Sequence, residues 1–217
     1  IYILLFLLLS LKLNAQDYTI KRLGVENGLS NNYVMNIAQD KKGFMWFATE
    51  SGLSRFDGNN FRVYKKNTSK DNAISANALN MVYADKVDDI IWIASQREGL
   101  NMFDYQTKTF KTYKHDQTDP HSIATNDITC ITNAIDGNLW VSTYHKGFEY
   151  FDKETQKFTH YNQATIPELP SNSIWSIIQA KNGLLYIGHV NSGFSIYSPS
   201  DNTIKNYRYE SDNSQSL

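Results

Sequence analysis

The stretch that decides the fold is NGLSNNYVMNIAQDKKGFMWFATESGLSRFDGNNFRVY, residues 27–64. It divides into Val34–Gln39, Phe44–Thr49, Leu53–Asp57 and Phe61–Tyr64, each short and rich in β-branched or aromatic side chains. Such residues suit a pleated, half-buried surface. The breaks between them are Asp40-Lys41-Lys42-Gly43, Ser51-Gly52 and Gly58-Asn59-Asn60. Gly and Asn accept the positive φ angles that tight turns require. The stretch therefore predicts four antiparallel strands joined by short turns.

Working outward, the same pattern returns three more times. Trp46, Trp92 and Trp140 are spaced by 46 and 48 residues, and Tyr186 follows 46 residues later. A small residue stands two positions after each: Ala48, Ala94, Ser142 and Gly188. Gly52-Leu53, Gly99-Leu100, Gly147-Phe148 and Gly193-Phe194 keep the same beat, as do Asp57, Asp104 and Asp152, and then Tyr64, Tyr113, Tyr161 and Tyr207. Several columns in step over four units mark a tandem repeat, and four strands per unit of this length describe a propeller blade. The expected fold is all-β: a β-propeller fragment of four four-stranded blades, at about residues 30–66, 76–115, 125–163 and 172–209, in an incomplete ring. Tyr18–Leu23 reads as a leading strand, and a fifth repeat is expected to begin near residue 213. One blade cannot bury both faces alone, so the aromatic and small columns should pack between neighbours. The recurring Asp is expected to cap a turn.

Bulk numbers agree with a globular β protein. The 217 residues are 41% hydrophobic and 13% aromatic, with a net charge of −1. That balance supplies no field to draw nucleic acid or an anionic membrane. The single cysteine, Cys130, excludes an internal disulfide and reads as a small apolar residue. Ile1–Leu11 is almost wholly apolar, followed by Lys12-Leu13-Asn14-Ala15-Gln16. This is the pattern of a secretory signal peptide over residues 1–15, with an uncleaved anchor as the alternative. Residues 16–217 are thus expected outside the cytoplasm.

Asn27-Gly28-Leu29-Ser30-Asn31-Asn32-Tyr33-Val34, Ile37-Ala38-Gln39-Asp40, Gly43, Trp46-Phe47-Ala48-Thr49, Gly52-Leu53-Ser54-Arg55-Phe56-Asp57-Gly58 and Phe61 together resemble the two-component regulator propeller repeat. The resemblance covers nearly all of Tyr18–Leu217 and is loosest in the fourth unit, where Tyr186 replaces Trp. It implies the periplasmic sensor region of a hybrid two-component histidine kinase of Bacteroidetes type. Such proteins detect glycan-derived oligosaccharides and control polysaccharide-use genes. It further implies an inner-membrane protein that acts as a homodimer, with kinase, receiver and DNA-binding parts outside this chain. The membrane would be met only through a downstream or uncleaved N-terminal segment.

Catalytic signatures are absent from the sequence. His115, His121, His145, His160 and His189 show no metal-ligand spacing, and no phosphate loop or nucleophile elbow occurs. No catalytic residue, metal or cofactor is expected, nor any nucleic-acid contact by this region. Binding residues are sought where equivalent loops differ. The turn before each Gly-Leu/Phe pair reads Glu50-Ser51, Gln96-Arg97-Glu98, Tyr144-His145-Lys146 and Val190-Asn191-Ser192. In a four-stranded blade this turn shares a face with the connection carrying Asn31, Asn32, Asn77, Asn126 and Asn172. Arg97, Tyr144, His145 and His189 are candidate sugar contacts there, through hydrogen bonds and ring stacking. Trp175, in the place of Met35, is expected on an innermost strand as a packing residue or a stacking platform. An extracellular propeller enzyme, a polysaccharide lyase or glycosidase, and an adhesive scaffold are the alternative readings.

Overall fold

The computed structural model describes residues 20–70, 72–213 and 216. The signal-peptide segment and most of the expected fifth repeat lie outside them. Four antiparallel sheets follow one another along the chain. The first holds β1 (Val34–Gln39), β2 (Met45–Thr49), β3 (Gly52–Phe56) and β4 (Phe61–Tyr64). The second holds β5 (Leu79–Ala84), β6 (Ile90–Ser95), β7 (Leu100–Asp104) and β8 (Thr109–Tyr113). The third holds β9 (Ile128–Asn133), β10 (Leu139–Thr143), β11 (Phe148–Asp152) and β12 (Lys157–Tyr161). The fourth holds β13 (Ile174–Gln179), β14 (Leu185–His189), β15 (Phe194–Ser198) and β16 (Thr203–Tyr207). Each is a meander in chain order. The first strands β1, β5, β9 and β13 meet their neighbours side by side, so the sheets fan out from a shared inner side as an incomplete propeller.

The expected leading strand is not formed in its described part. Residues 20–24 pair with no strand, and Ile20 is 95% exposed. A strand needs a sheet edge for its amides, and none meets this segment among the described residues. Tyr18 and Thr19 lie outside them.

The core consists of three layers, one between each pair of neighbouring sheets. Trp46 is fully buried against Phe103 and Tyr105 of the second sheet, and Trp92 against Phe151 of the third. Phe148 and Tyr161 meet Tyr197 of the fourth. Ala48 and Ala94, two residues on from the Trp, point the same way and are buried. Burial alone separates inner from outer members of a column. Tyr186, in the Trp column of the fourth sheet, is 38% exposed because no described sheet covers that face. Ile37 of the first sheet is 51% exposed, whereas its counterparts Val82, Ile131 and Ile177 are buried.

Buried polar residues fasten the chain as it enters the first three blades. Ser54, Asn101, Glu149 and Ser195 occupy one column on the third strands, all fully buried. Ser54 Oγ accepts Ser30 N at 3.0 Å, Asn101 Oδ1 accepts Ser75 N at 2.9 Å, and Glu149 Oε1 accepts Ala124 N at 3.0 Å. The fourth blade enters through Pro170, which has no N–H to give. Ser195 Oγ there donates to Asn206 Oδ1 at 2.6 Å and lies 2.8 Å from His189 Nε2. With the hydroxyl proton spent on Asn206, Nε2 of His189 must be the donor. His189 itself stands where Thr49, Ser95 and Thr143 close their turns onto the carbonyls of Gly52, Gly99 and Gly147.

Candidate functional site

The second turn of each blade and the connection into the next blade share one face. Gly52 N donates to Asn77 O at 2.8 Å, Gly99 N to Asn126 O at 2.9 Å, and Gly147 N to Asn172 O at 2.9 Å. Gln96 N, Tyr144 N and Val190 N likewise reach the carbonyls of Ala78, Asp127 and Ser173. These bonds stitch loops that are distant in sequence into a continuous rim.

The repeated Asn residues are staples in this rim. Asn32, Asn77, Asn126 and Asn172 accept, through Oδ1, the amides of Val25, Lys66, His115 and Gln163 in the incoming segments. At the other end of the blades the recurring Asp caps turns as expected. Asp57 takes the amides of Asn59 and Asn60, Asp104 that of Gln106, and Asp152 those of Glu154 and Thr155. Hydrogen bonds from Asn60 and Asn59 hold the Asp57 carboxyl below its ordinary pKa.

The five candidate contacts are placed very differently. Arg97 is exposed at the tip of its turn with φ 65°, beside Glu98, whose carboxylate meets Lys66 at 2.8 Å and Lys114 at 2.7 Å. Tyr144 and His145 stack edge to face with ring centroids 4.2 Å apart. His145 Nδ1 lies 3.1 Å from Ser173 Oγ on the next connection. The structure thus brings Tyr144, His145 and Ser173 together across the rim between the third and fourth blades. His189 is buried beneath the rim, its pKa lowered by burial, with its ring turned to Ser195.

Trp175 lies on β13, the first strand of its sheet, and is 52% exposed. It occupies a β-bulge that recurs at Met35, Asn80 and Thr129. Two of these bulge residues reach the next blade: Asn80 Nδ2 donates to Ile128 O at 2.7 Å and Thr129 Oγ1 to Ile174 O at 2.8 Å. Trp175 therefore stands at the position from which one first strand touches the following one.

Two features escaped the sequence reading. The first is Glu149, fully buried, with Oε2 3.3 Å from His160 Nδ1. Burial raises the Glu149 pKa, and the Glu149 carboxylate beside it raises that of His160. The signal lay in its column, where Glu149 is the one ionisable member beside Ser54, Asn101 and Ser195. The second is a cavity of about 350 Å³ between the third and fourth blades, walled by Trp140, Tyr150 and Tyr161. Its sequence signal was the break from Asp40 and Asp85 to Ala134. Cys130 donates to Ile177 O at 3.6 Å, and burial raises its thiol pKa, which disfavours the thiolate. Among the described residues no three His, Cys, Asp or Glu side chains gather at a metal-holding distance. No described helix is long and apolar enough to cross a membrane.

Comparison with known proteins matches residues 28–51, 122–145 and 168–191 to the family described as two component regulator propeller. The chain is similar to a crystal structure described as the extracellular domain of the hybrid two-component system BT3049 from B. thetaiotaomicron. Identity is 50% and the TM-score 0.84, over 89% of this chain and 27% of that one. The extracellular domain of BT4673 from the same organism, at 24% identity and TM-score 0.73 over 88% of this chain, shares the fold. A curated relative, Histidine kinase P4 of Formosa agariphila, is 39% identical over 70 residues, which is 32% of this chain and 5% of that protein. The chain spans about a quarter of these two solved chains, and far less of the curated relative.

Proposed function

We propose that this chain, which matches the two-component regulator propeller family over residues 28–51, 122–145 and 168–191, is part of the extracytoplasmic ligand-sensing region of a hybrid two-component histidine kinase. The observation that carries this reading is the 50% identity to the extracellular domain of such a system over 89% of the chain. The ligand is a glycan-derived oligosaccharide, held on the rim where Arg97, Tyr144 and His145 stand out from the stapled connections. Aromatic edges, a guanidinium and imidazole nitrogens are the groups that stack on sugar rings and bond their hydroxyls. Binding biases a dimer toward one arrangement of its membrane and kinase parts, in proportion to the ligand's unequal affinity for the two arrangements. The region binds without catalysing, and phosphoryl transfer belongs to the kinase elsewhere in the protein.

The test is calorimetric titration of the complete exported region with a panel of oligosaccharides, alongside Arg97→Ala and Tyr144→Ala. One oligosaccharide should bind saturably and lose about tenfold in affinity in a rim variant, as for loss of a good polar or stacking contact. Release of shortened sugar products, or binding untouched by every rim substitution, would overturn the proposal.

A further inference from the structure

The three interfaces between blades follow one plan, and one of them departs from it. A residue in the first turn of each blade faces the residue just after the third strand of the next. Between the first and second blades these are Asp40 and Tyr105, and the phenol donates to the carboxylate. Asp40 also takes Trp46 Nε1 at 2.6 Å. Between the second and third they are Asp85 and Lys153. The ammonium lies 3.1 Å from Asp85 and 2.6 Å from Asp88, while Trp92 Nε1 reaches Asp85 at 2.8 Å. Between the third and fourth the equivalent positions hold Ala134 and Pro199, so the carboxylate and its donor are both gone.

The cavity of about 350 Å³ opens at this altered interface, with Ala134 and Pro199 among its walls. Trp140 is one of its walls, 5.1 Å from the Tyr150 ring and 5.4 Å from the Tyr161 ring, both edge to face. Trp140 Nε1, lacking an Asp, donates instead to Gln179 Oε1 at 3.1 Å. That oxygen also accepts Ile135 N at 2.8 Å, and Gln179 Nε2 is spent on Gly183 O at 2.8 Å. The Tyr150 hydroxyl is spent on Asp136. Asp136 is an exposed carboxylate at the wall that forms no ion pair among the described residues. Its two oxygens have lone pairs to spare beyond Tyr150 and the Asn138 amide.

We propose that this cavity binds a small organic cation, an ammonium on an apolar body, with the cation set between the aromatic rings and Asp136. It would take the place that the Lys153 ammonium fills one interface earlier. Aromatic faces and a carboxylate attract such a group by its charge. The Tyr150 phenol and the Gln179 carbonyl oxygen are already engaged, which leaves the Asp136 carboxylate as the charged group facing a ligand. No cationic side chain lines the cavity to hold an anion. The site lies at the end of the blades opposite the rim and stands whether or not the rim holds a sugar.

The probe is n-butylammonium, which reproduces the Lys153 side chain, with n-butanol as its neutral control. Titration of the full chain followed by the Trp140 indole N–H resonance should show saturable millimolar binding of the amine, the range open to so small a fragment. The alcohol should bind more weakly. Asp136→Asn, an exposed change, should weaken the amine about fivefold. Pro199→Lys should abolish binding by supplying its own ammonium. No saturation by the amine, equal binding of the alcohol, or affinity unchanged in Asp136→Asn would overturn the proposal.

Discussion

A Cβ placed on Gly147 would lie 2.1 Å from the carbonyl oxygen of Tyr161. This explains why Gly recurs at 52, 99, 147 and 193: at each one a backbone carbonyl of the fourth strand occupies the space of the missing side chain, whatever residue that strand carries there. Gly147 also has φ 84°, where L side chains are strained. Gly147→Ala should therefore cost about 3 kcal/mol, from strain and from displaced backbone together. Gly43 has φ 86° with nothing within 4 Å of the place a Cβ would take, so Gly43→Ala should cost only about 1 kcal/mol. Urea unfolding of the two variants separates the contributions, and equal losses would refute the backbone contact.

Lys153 holds a carboxylate whose side chain is wholly buried, Asp85. Burial alone would raise the Asp85 pKa, but amides of Val87 and Asp88, the Trp92 indole and Lys153 together bring it below its ordinary value. A depressed carboxyl stabilises the fold above its unfolded pKa, and that gain is lost as pH falls through the folded value. Lys153→Met should cost about 3 kcal/mol by leaving the charge unpaired. The Asp85→Asn, Lys153→Met double variant should recover part of the loss. A double variant no more stable than the single one would show that the charge is not the cause.

The Glu149–His160 pair should make stability fall as pH rises. Both pKa values are raised, His160 by the Glu149 carboxylate 3.3 Å away and Glu149 by burial. A raised pKa means extra protons bound in the folded state, so its contribution is complete below the unfolded value and fades as pH climbs through the folded one. For His160 that window opens above its ordinary pKa of 6.5. The groups around the pair are His115, which acts on Glu149, and the Pro120 carbonyl, 3.1 Å from His160 Nε2. Glu149→Gln should flatten the decline in urea midpoint above neutral pH and shift the His160 ring titration downward. A slope identical to the parent's would place the effect elsewhere.

Asn126 joins two segments, its Oδ1 taking His115 N at 2.8 Å and its carbonyl taking Gly99 N at 2.9 Å. Asn126→Ala should cost about 1 kcal/mol, the worth of one hydrogen bond. It should leave affinity for a rim ligand unchanged, because the side-chain oxygen serves the backbone. Thermal unfolding and a binding titration on the same variant check both halves, and lost affinity with unchanged stability would make Asn126 a ligand contact.

The sequence by itself determined the repeat, the strands and the turns. The reading of the first unit matches β1 and β4 at both ends and misses β2 and β3 by one residue. Blades are this legible because strand alternation and tight turns are decided within a few residues, and four copies of one pattern reinforce each other. Only the tertiary structure decided which column members are buried, that His189 serves Ser195 rather than the rim, and that Ala134 and Pro199 line one cavity. Those relations join neighbouring strands or successive blades, as Tyr105 with Asp40 and Lys153 with Asp85 do. Each depends on which side chain the adjoining sheet presents, and a single unit's sequence carries no record of that.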